Sequence, residues 1–485
     1  MFSSDLTANM TIRITISSIY FQFIVAGSCH LAALTVGGVV SYPGVLLQQL
    51  RSNDTIIHLD LNNGSWIGSV HGLAGIPSFL MPFLMQCQGR KFTFLLSCIL
   101  INIGWAFTYA AKNLITLIIG ECFHGLGGHS LLTVSFLSMS EIIQPKYRNI
   151  CLLLYGTSQA FGMSFVGIIG RYLHWKTAGI VMSCPIMLAL ILGLFWPESP
   201  SWLAFKGRFE ECEDVFKRLR GTDKESMREL NALIHAQKEN FDSRPPKGEW
   251  MKILRHTFVS KDFYKPSFHT LILVSIFYWT GGAAVIIYSS DITLKLTSNK
   301  NDHIKFIIDL TFFIGFSITT ILTRFFSSKK VLLFSMFGSF IAMSLMTVVA
   351  YLQSVDMIPK DSMLGAYFMV CYMVVFSMGS NGIGFTIATE LMPVKHRGIG
   401  GCIFVLCTCI FHSSSLKSFP YLCVYINLWG AFLLYAIYLV ISGVIVYVCV
   451  PDTRNRTLQE IEEFYQNGGY KEKSDLQLDH QAWRL

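Results

Sequence analysis

Residues 89–111 read "GRKFTFLLSCILINIGWAFTYAA". After the basic pair Arg90–Lys91, the stretch Phe92–Ala111 is uncharged for 20 residues. As an α-helix rising about 1.5 Å per residue, it is long enough to cross a ~30 Å hydrocarbon core. Near the other end of the chain, Ile426–Val450 reads "INLWGAFLLYAIYLVISGVIVYVCV", which is again uncharged. Of the 485 residues, 52% are hydrophobic and 14% charged, with mean hydropathy +0.49. Soluble chains carry roughly 25% charged residues, so a soluble class is excluded.

Twelve such blocks read as membrane spans: 17–42, 65–85, 92–111, 114–139, 149–172, 177–196, 268–290, 304–323, 331–353, 363–389, 398–419 and 424–450. With both termini cytoplasmic, 29 of the 38 Lys and Arg fall on the cytoplasmic side and 9 outside. Fourteen of the 29 lie in the long loop 197–267; without it the bias is 15 to 9. The sequons at Asn53 and Asn63 fall in the first outside loop, as this orientation requires of glycosylation sites. The sequons at Asn9 and Asn455 fall inside and read as chance. No cleavable signal precedes the first span. Of the 13 Cys only Cys423 falls between spans on the outer side, with no second Cys there to pair with, so no disulfides are expected. The net charge of +8 suits a positive-inside membrane protein and not a nucleic-acid binder, since the long loop mixes 14 basic with 12 acidic residues.

The loops repeat. "GRK" (89–91) after span 2 matches "SSKK" ending at Lys330 after span 8. "EIIQPKYR" (141–148) after span 4 matches "ELMPVKHR" (390–397) after span 10. "PESPSWL" (197–203) after span 6 matches "PDTRNRTL" (451–458) after span 12. The offsets of 239, 249 and 254 residues indicate two six-span halves related by duplication. The organisation expected is a half at 1–196, a cytoplasmic loop at 197–267, a second half at 268–450 and a tail at 451–485. Arg90, Lys91, Glu141, Arg148, Glu198, Lys329, Lys330, Glu390 and Arg397 then form a conformational charge network, expected to tighten while the cytoplasmic side is shut. The plainer reading is that these bases hold the loops inside.

Together, "GRK", "PESPSWL", "ELMPVKHRG" and "PDTRNRTLQEIEEF" resemble the signatures of sugar porters in the major facilitator superfamily. "SWIGSVHGL" (65–73), "SLKSFPYL" (415–422) and "TLQEIEEF" (457–464) resemble the insect branch of facilitated trehalose transporters. The resemblance covers nearly the whole chain. It implies an all-α membrane protein of twelve transmembrane helices in two pseudo-symmetric six-helix halves. It also implies a lid of intracellular helices beneath them. "GRFEECEDVFKRLRG" supplies such a helix with Phe209, Cys212, Phe216 and Leu219 on one face, and 225–239 supplies another.

The resemblance also implies a substrate-binding set. Gln159 in "YGTSQAFG" matches a sugar-binding Gln of the family. An interhelical hydrogen bond is its structural alternative. In span 7, "FYWTGGAAVIIYS" keeps Thr280, Gly281 and Tyr288 of the family signature but has Phe277 and Tyr278 in place of its Gln pair and Ala283 in place of its Asn. In span 10, "NGIGF" offers Asn381, with Phe385 in place of Trp. The pocket is therefore more aromatic and less polar than a typical sugar site. Glu121 stands where the family has Arg, and with His124 one turn on it is a possible proton site; the alternative is a hydrated Glu121 near the outer end. Span 1 lacks the Asp of proton-coupled porters, which favours uniport.

His30, His71 and His129 are isolated within spans and read as hydrogen-bonded packing residues rather than metal ligands. No nucleotide-binding loop, catalytic triad or metal pair is present. The expectation is therefore a transporter and not an enzyme, with no cofactor. Its partners are the bilayer and a small sugar-like solute, with no nucleic acid and no obligate protein partner. It is placed in the cell membrane as a multi-pass glycoprotein. The rival readings are a proton-coupled or non-sugar solute carrier, and a non-transporting sensor on a transporter scaffold.

Overall fold

A computed structural model of the chain describes residues 2–51, 57, 59–221, 223–242, 257–298, 302–380, 382–391, 397–454, 461, 464 and 465. Span 1 lies in the helix Phe2–Leu50, and span 2 runs through Leu61–Gly75, a 3-10 turn at Ile76–Leu80 and Met81–Gln88. Spans 3 to 6 are Arg90–Ala110, Leu114–Ile142, Pro145–Tyr172 and Trp175–Leu194. Span 7 is broken into Lys261–Trp279 and Gly282–Thr297, and span 10 into Leu364–Ser377 and Ile383–Leu391. Spans 8, 9, 11 and 12 are Asp302–Phe325, Ser328–Ser354, Arg397–Tyr425 and Asn427–Cys449.

Local chemistry sets the boundaries. Asp60, Asn113 and Ser327 each cap the helix that follows, accepting from the backbone N–H three residues on. Pro145 and Pro200 stand in the first turn, where a missing N–H costs nothing. By length and composition, ten helices among the described residues can cross a membrane, and Leu364–Ser377 is a shorter apolar one. The remaining span, Leu114–Ile142, is diluted by Gly, Ser and His that are mostly buried inside the bundle. Large apolar side chains such as Phe334, Phe337, Val444 and Val448 point outward, as a lipid-facing surface requires.

Small residues bring the helices together, since apolar burial drives little association inside lipid. Spans 1 and 5 touch at backbone distance. A Cβ on Gly37 would come within 1.9 Å of the Gln159 carbonyl oxygen, and one on Gly162 within 1.8 Å of that of Leu34.

Three helices at one end, Pro200–Phe205, Phe209–Arg220 and Lys224–Asp242, enclose a second apolar cluster of Trp202, Leu203, Ala204, Cys212, Phe216 and Leu230. Cys212, Phe216 and Leu219 are buried and Phe209 packs beside them, as their spacing predicts. The Gln22 amide donates to the Leu219 carbonyl (2.8 Å), and the Trp202 indole to that of Gln86 (2.9 Å). Both of these bonds join the lid to the first half. This end is called the lid end, and the other the far end.

Candidate substrate site and charge latch

At the far end the two halves are tied together. Arg51 at the end of span 1 pairs with Asp291 in span 7. The Lys305 ammonium donates to Gln48 (2.8 Å). Lys417 on span 11 donates to the Ser65 hydroxyl (2.8 Å) and the Asn62 side-chain oxygen (3.1 Å), and lies 3.9 Å from the Trp66 ring centre. The Tyr421 hydroxyl also reaches Asn62 (3.1 Å). The structure is therefore a far-end-closed state.

Between the ends, the breaks in spans 7 and 10 sit beside an aromatic group. Phe277 and Tyr278, the replacements for the family's Gln pair, lie with ring centres 5.9 and 6.5 Å from that of Phe385. Phe404 closes on Phe385 at 5.9 Å. Discontinuous helices near mid-membrane are a common seat of substrate sites in secondary transporters. The narrow gap between halves here, lined by Ser41, Met163, Ser164, Ile286, Ile308, Asp309 and Phe312, is too tight for a water.

The expected substrate residues divide. Gln159 is half-buried on span 5, and among the described residues its amide makes no hydrogen bond. Phe385 joins the aromatic group. Thr280 is fully buried, its hydroxyl donating to the Ile276 carbonyl while its own carbonyl accepts from Tyr372 (2.9 Å). Tyr288 is also buried, bonded to the Leu416 carbonyl (3.0 Å) and stacked on Phe419. In this conformation both serve packing. Asn381 and Asn53 lie outside the described residues, as does the side chain of Arg397. Asn63 stands in the first turn of Leu61–Gly75, its N–H bonded to Asp60.

Glu121 and His124 face each other at 3.3 Å, and both are wholly buried. The hydrated position near the outer end is thereby corrected. Buried glycines and Trp105, whose ring lies 4.3 Å from that of His124, enclose the pair. The sequence reading missed Asp309, fully buried beside Gly167 and Lys305; the signal was available, since Lys305 stands four residues before it on the same helix face.

At the lid end, Arg90 and Glu141 form two parallel 2.8 Å hydrogen bonds, the strong bidentate geometry. The Ser199 hydroxyl donates to Glu141. Glu198 accepts from the Arg90 backbone N–H (2.8 Å). Arg220 of the lid donates to the Glu141 carbonyl (3.3 Å) and pairs with Glu229. Every partner belongs to the first half or the lid, so this latch does not need the second half. Lys91 donates to the Leu194 carbonyl (2.7 Å) at the end of span 6, and Lys329 to the Tyr447 carbonyl (2.9 Å) at the end of span 12. Lys329 thus plays the part of Lys91, an offset of 238 that shifts the loop match by one residue. Lys330 instead sits in the capped first turn of span 9. Glu390 meets the Thr453 side chain. Among the described residues Arg148 reaches only the Ile143 carbonyl, at 3.5 Å; burial and the like charge of Arg220 lower its pKa, with Glu229 opposing.

His30 has the hydrogen-bonded packing role expected of it, but the isolated reading of His71 and His129 is corrected. His30 faces the Ser158 hydroxyl (3.4 Å). The ring centres of His71 and His129 are 5.3 Å apart.

A profile of the family described as "Sugar (and other) transporter" matches residues 46–465. The facilitated trehalose transporter Tret1 of Apis mellifera ligustica is 26% identical over 450 residues, 91% of this chain and 87% of that protein. Tret1 of Polypedilum vanderplanki is 25% identical over 458 residues, covering 92% and 88%. Among solved structures, the proton:xylose symporter XylE bound to 6-bromo-6-deoxy-D-glucose superposes with a TM-score of 0.74 at 16% identity, over 92% of this chain and 100% of that one. The inward-open form of XylE from E. coli gives a TM-score of 0.73 at 16% identity, over 91% and 99%. The chain belongs to the sugar (and other) transporter family and is a multi-pass membrane transporter of the major facilitator fold, not an enzyme.

Proposed function

We propose that this protein is a uniporter that moves a sugar, or a similar small polar solute, down its gradient by alternating access. The observation that carries the reading is the far-end closure. Lys417 and Arg51 bind partners across the two halves, at contacts that must break when that end opens. Curated relatives that match over nine-tenths of the chain are named facilitated trehalose transporters, which makes trehalose the first solute to test. The residues 1–196 and 268–450 act as the two moving bodies. The protein sits in the cell membrane with both termini and the lid end cytoplasmic and Asn53 and Asn63 outside.

Gln159 is the proposed hydrogen-bonding contact to solute hydroxyls from the first half. Its unbonded, half-buried amide supports this over the packing alternative. Phe385, with Phe277 and Tyr278, offers flat apolar faces from the second half. Glu390 and Arg397 lie about half a helix length, ~15 Å, from mid-membrane and act on the conformational equilibrium rather than on solute.

The test is uptake of radiolabelled trehalose and a panel of sugars and polyols into proteoliposomes. Downhill flux that ignores an imposed pH gradient is expected. Flux that follows the pH gradient would replace uniport with proton coupling, and binding without flux would favour a sensor. Gln159→Ala should lower uptake at least tenfold with unchanged reconstitution; equal loss of folding and uptake would restore the packing role.

A further inference from the structure

Histidines from three spans converge in the middle of the bundle. His71 comes from span 2, His129 from span 4 and His412 from span 11, and one ring nitrogen of each lies within 4.8 Å of the others. Their ring centres are 5.3, 5.3 and 6.1 Å apart, and all three side chains are buried. Neither nitrogen of His71 has a hydrogen-bond partner among the described residues, although it is 1% exposed. A buried imidazole normally satisfies both its donor and its acceptor.

The surrounding backbone makes room for the rings. A Cβ on Gly75 would lie 2.4 Å from Nδ1 of His129, and one on Gly125 2.1 Å from the His71 carbonyl oxygen. A Cβ on Gly72 would meet the His412 Cβ at 3.1 Å. The rings are also oriented. Nδ1 of His129 faces the Gly125 carbonyl at 2.9 Å, which leaves Nε2 for a ligand, and His412 stacks on Tyr278 at 5.3 Å.

We propose that His71, His129 and His412 form a transition-metal site of the Zn2+ class that clasps the two halves. Three imidazoles and no carboxylate select Zn2+, Cu2+ or Ni2+ over Mg2+ and Ca2+. Tetrahedral Zn–N bonds of about 2.0–2.1 Å place the nitrogens about 3.3 Å apart, so each ring moves inward by under about 1 Å. The fourth position takes water or an anion, whose negative charge offsets part of that of the ion. His71 and His129 belong to the first half and His412 to the second. A bound ion therefore joins them in the arrangement seen here, and by mass action it draws the population toward the far-end-closed state. This last step rests on the alternating-access reading; the binding site does not.

The probe is Co2+ titrated into the purified, untagged full chain, read by its visible absorption, with Zn2+ as competitor. Cys87, Cys184, Cys371 and Cys449, which are exposed, are replaced beforehand to remove thiol sites. One Co2+ per chain is expected, displaced by Zn2+ and not by Mg2+ or Ca2+. His71→Ala and His412→Ala should each weaken binding at least about tenfold, while His30→Ala leaves it unchanged. Thermal melting identifies variants that stay folded, and His412→Gln supplies a second, less disruptive variant. No binding by the folded parent, or binding indifferent to His412→Ala and His412→Gln, overturns the site. In proteoliposomes Zn2+ should slow uptake by the parent and not by His412→Gln. Binding with uptake unaffected overturns the clasp, and absence of any uptake overturns the transport reading while the Co2+ titration still decides the site.

Discussion

In the first half, Arg90 grips Glu141 through two 2.8 Å hydrogen bonds while the Ser199 hydroxyl donates to the same carboxylate. In the second half the equivalent acid, Glu390, meets the side chain of Thr453, which stands where Ser199 does at an offset of 254. The hydroxyl has been kept and the arginine lost. At the offset of 238 that aligns Lys329 with Lys91, Ser328 occupies the position of Arg90. In the first half a nearly desolvated ion pair thus ties span 3 to span 4 and the Ser199 hydroxyl joins its carboxylate to the loop that leads into the lid, whereas among the described residues the acid of the second half meets a neutral partner. The comparison teaches that, among the described residues, the lid end is built asymmetrically, with the lid bonded to the first half.

Glu141→Gln should show the largest difference. It strands the Arg90 guanidinium, whose side chain is only 10% exposed, and should cost about 2–4 kcal/mol. Glu390→Gln keeps an acceptor for Thr453 and should cost under about 1 kcal/mol. Thermal melting of the purified variants checks both. Equal losses would mean that Glu390 holds a charged partner too, and the asymmetry would fail.

The next effect lies one residue before Arg90. Gly89 has φ 98° and ψ 171°, a backbone region open essentially to glycine, and an added Cβ would meet the Glu198 carboxylate at 2.4 Å. Gly89→Ala should cost about 1–3 kcal/mol. The equivalent Ser327 is a helix cap in ordinary extended geometry, so Ser327→Ala should cost about 1 kcal/mol through loss of that cap. A melting shift for Gly89→Ala no larger than that for Ser327→Ala would show that the turn relaxes freely.

Much of the fold could be read before any coordinates, whereas the asymmetry between the matched loops could not. The uncharged blocks set the spans because the bilayer fixes their length, and the loop pairs set the halves because their offsets are nearly constant. The lid face of Phe209, Cys212, Phe216 and Leu219 follows from helical period alone. The site was less legible. Thr280 and Tyr288 match the family pattern, yet their hydroxyls are taken up by the carbonyls of Ile276 and Leu416, and the second of these is 128 residues away. His71, His129 and His412 sit on three helices, and periodicity within one helix says nothing about which helices become neighbours. Glu121 and His124 were legible as a pair because three residues on a helix share a face; their burial depended on packing against Trp105.

A smaller effect comes from restoring the missing charge. Ser328→Arg places a guanidinium where the first half has Arg90, and should stabilise the protein by about 1 kcal/mol through Glu390. The check is a double-mutant cycle by thermal melting. Ser328→Arg should make Glu390→Gln more costly than it is in the parent. Strict additivity would show that the backbone of the second loop holds position 328 out of reach of Glu390.

The smallest effect is expected where the halves agree. Lys91 and Lys329 each place an ammonium on a last-turn carbonyl, at 2.7 Å from Leu194 and 2.9 Å from Tyr447. A cation there satisfies an orphan acceptor and meets the negative end of the helix dipole, worth about 0.3–1 kcal/mol. Lys91→Ala and Lys329→Ala should therefore lower the melting temperature by similar small amounts, about a degree or two. One difference sharpens the test. Asp452 also attracts Lys329, whereas Glu198, the acid in the matching loop, is engaged by the Arg90 backbone N–H. Raising the salt concentration screens exposed pairs and leaves the carbonyl bonds. The two variants should converge further in high salt if the Asp452 attraction is the only asymmetry. A Lys329→Ala loss several times that of Lys91→Ala, unchanged by salt, would place a buried charge contact in the second half and end its description as the neutral partner.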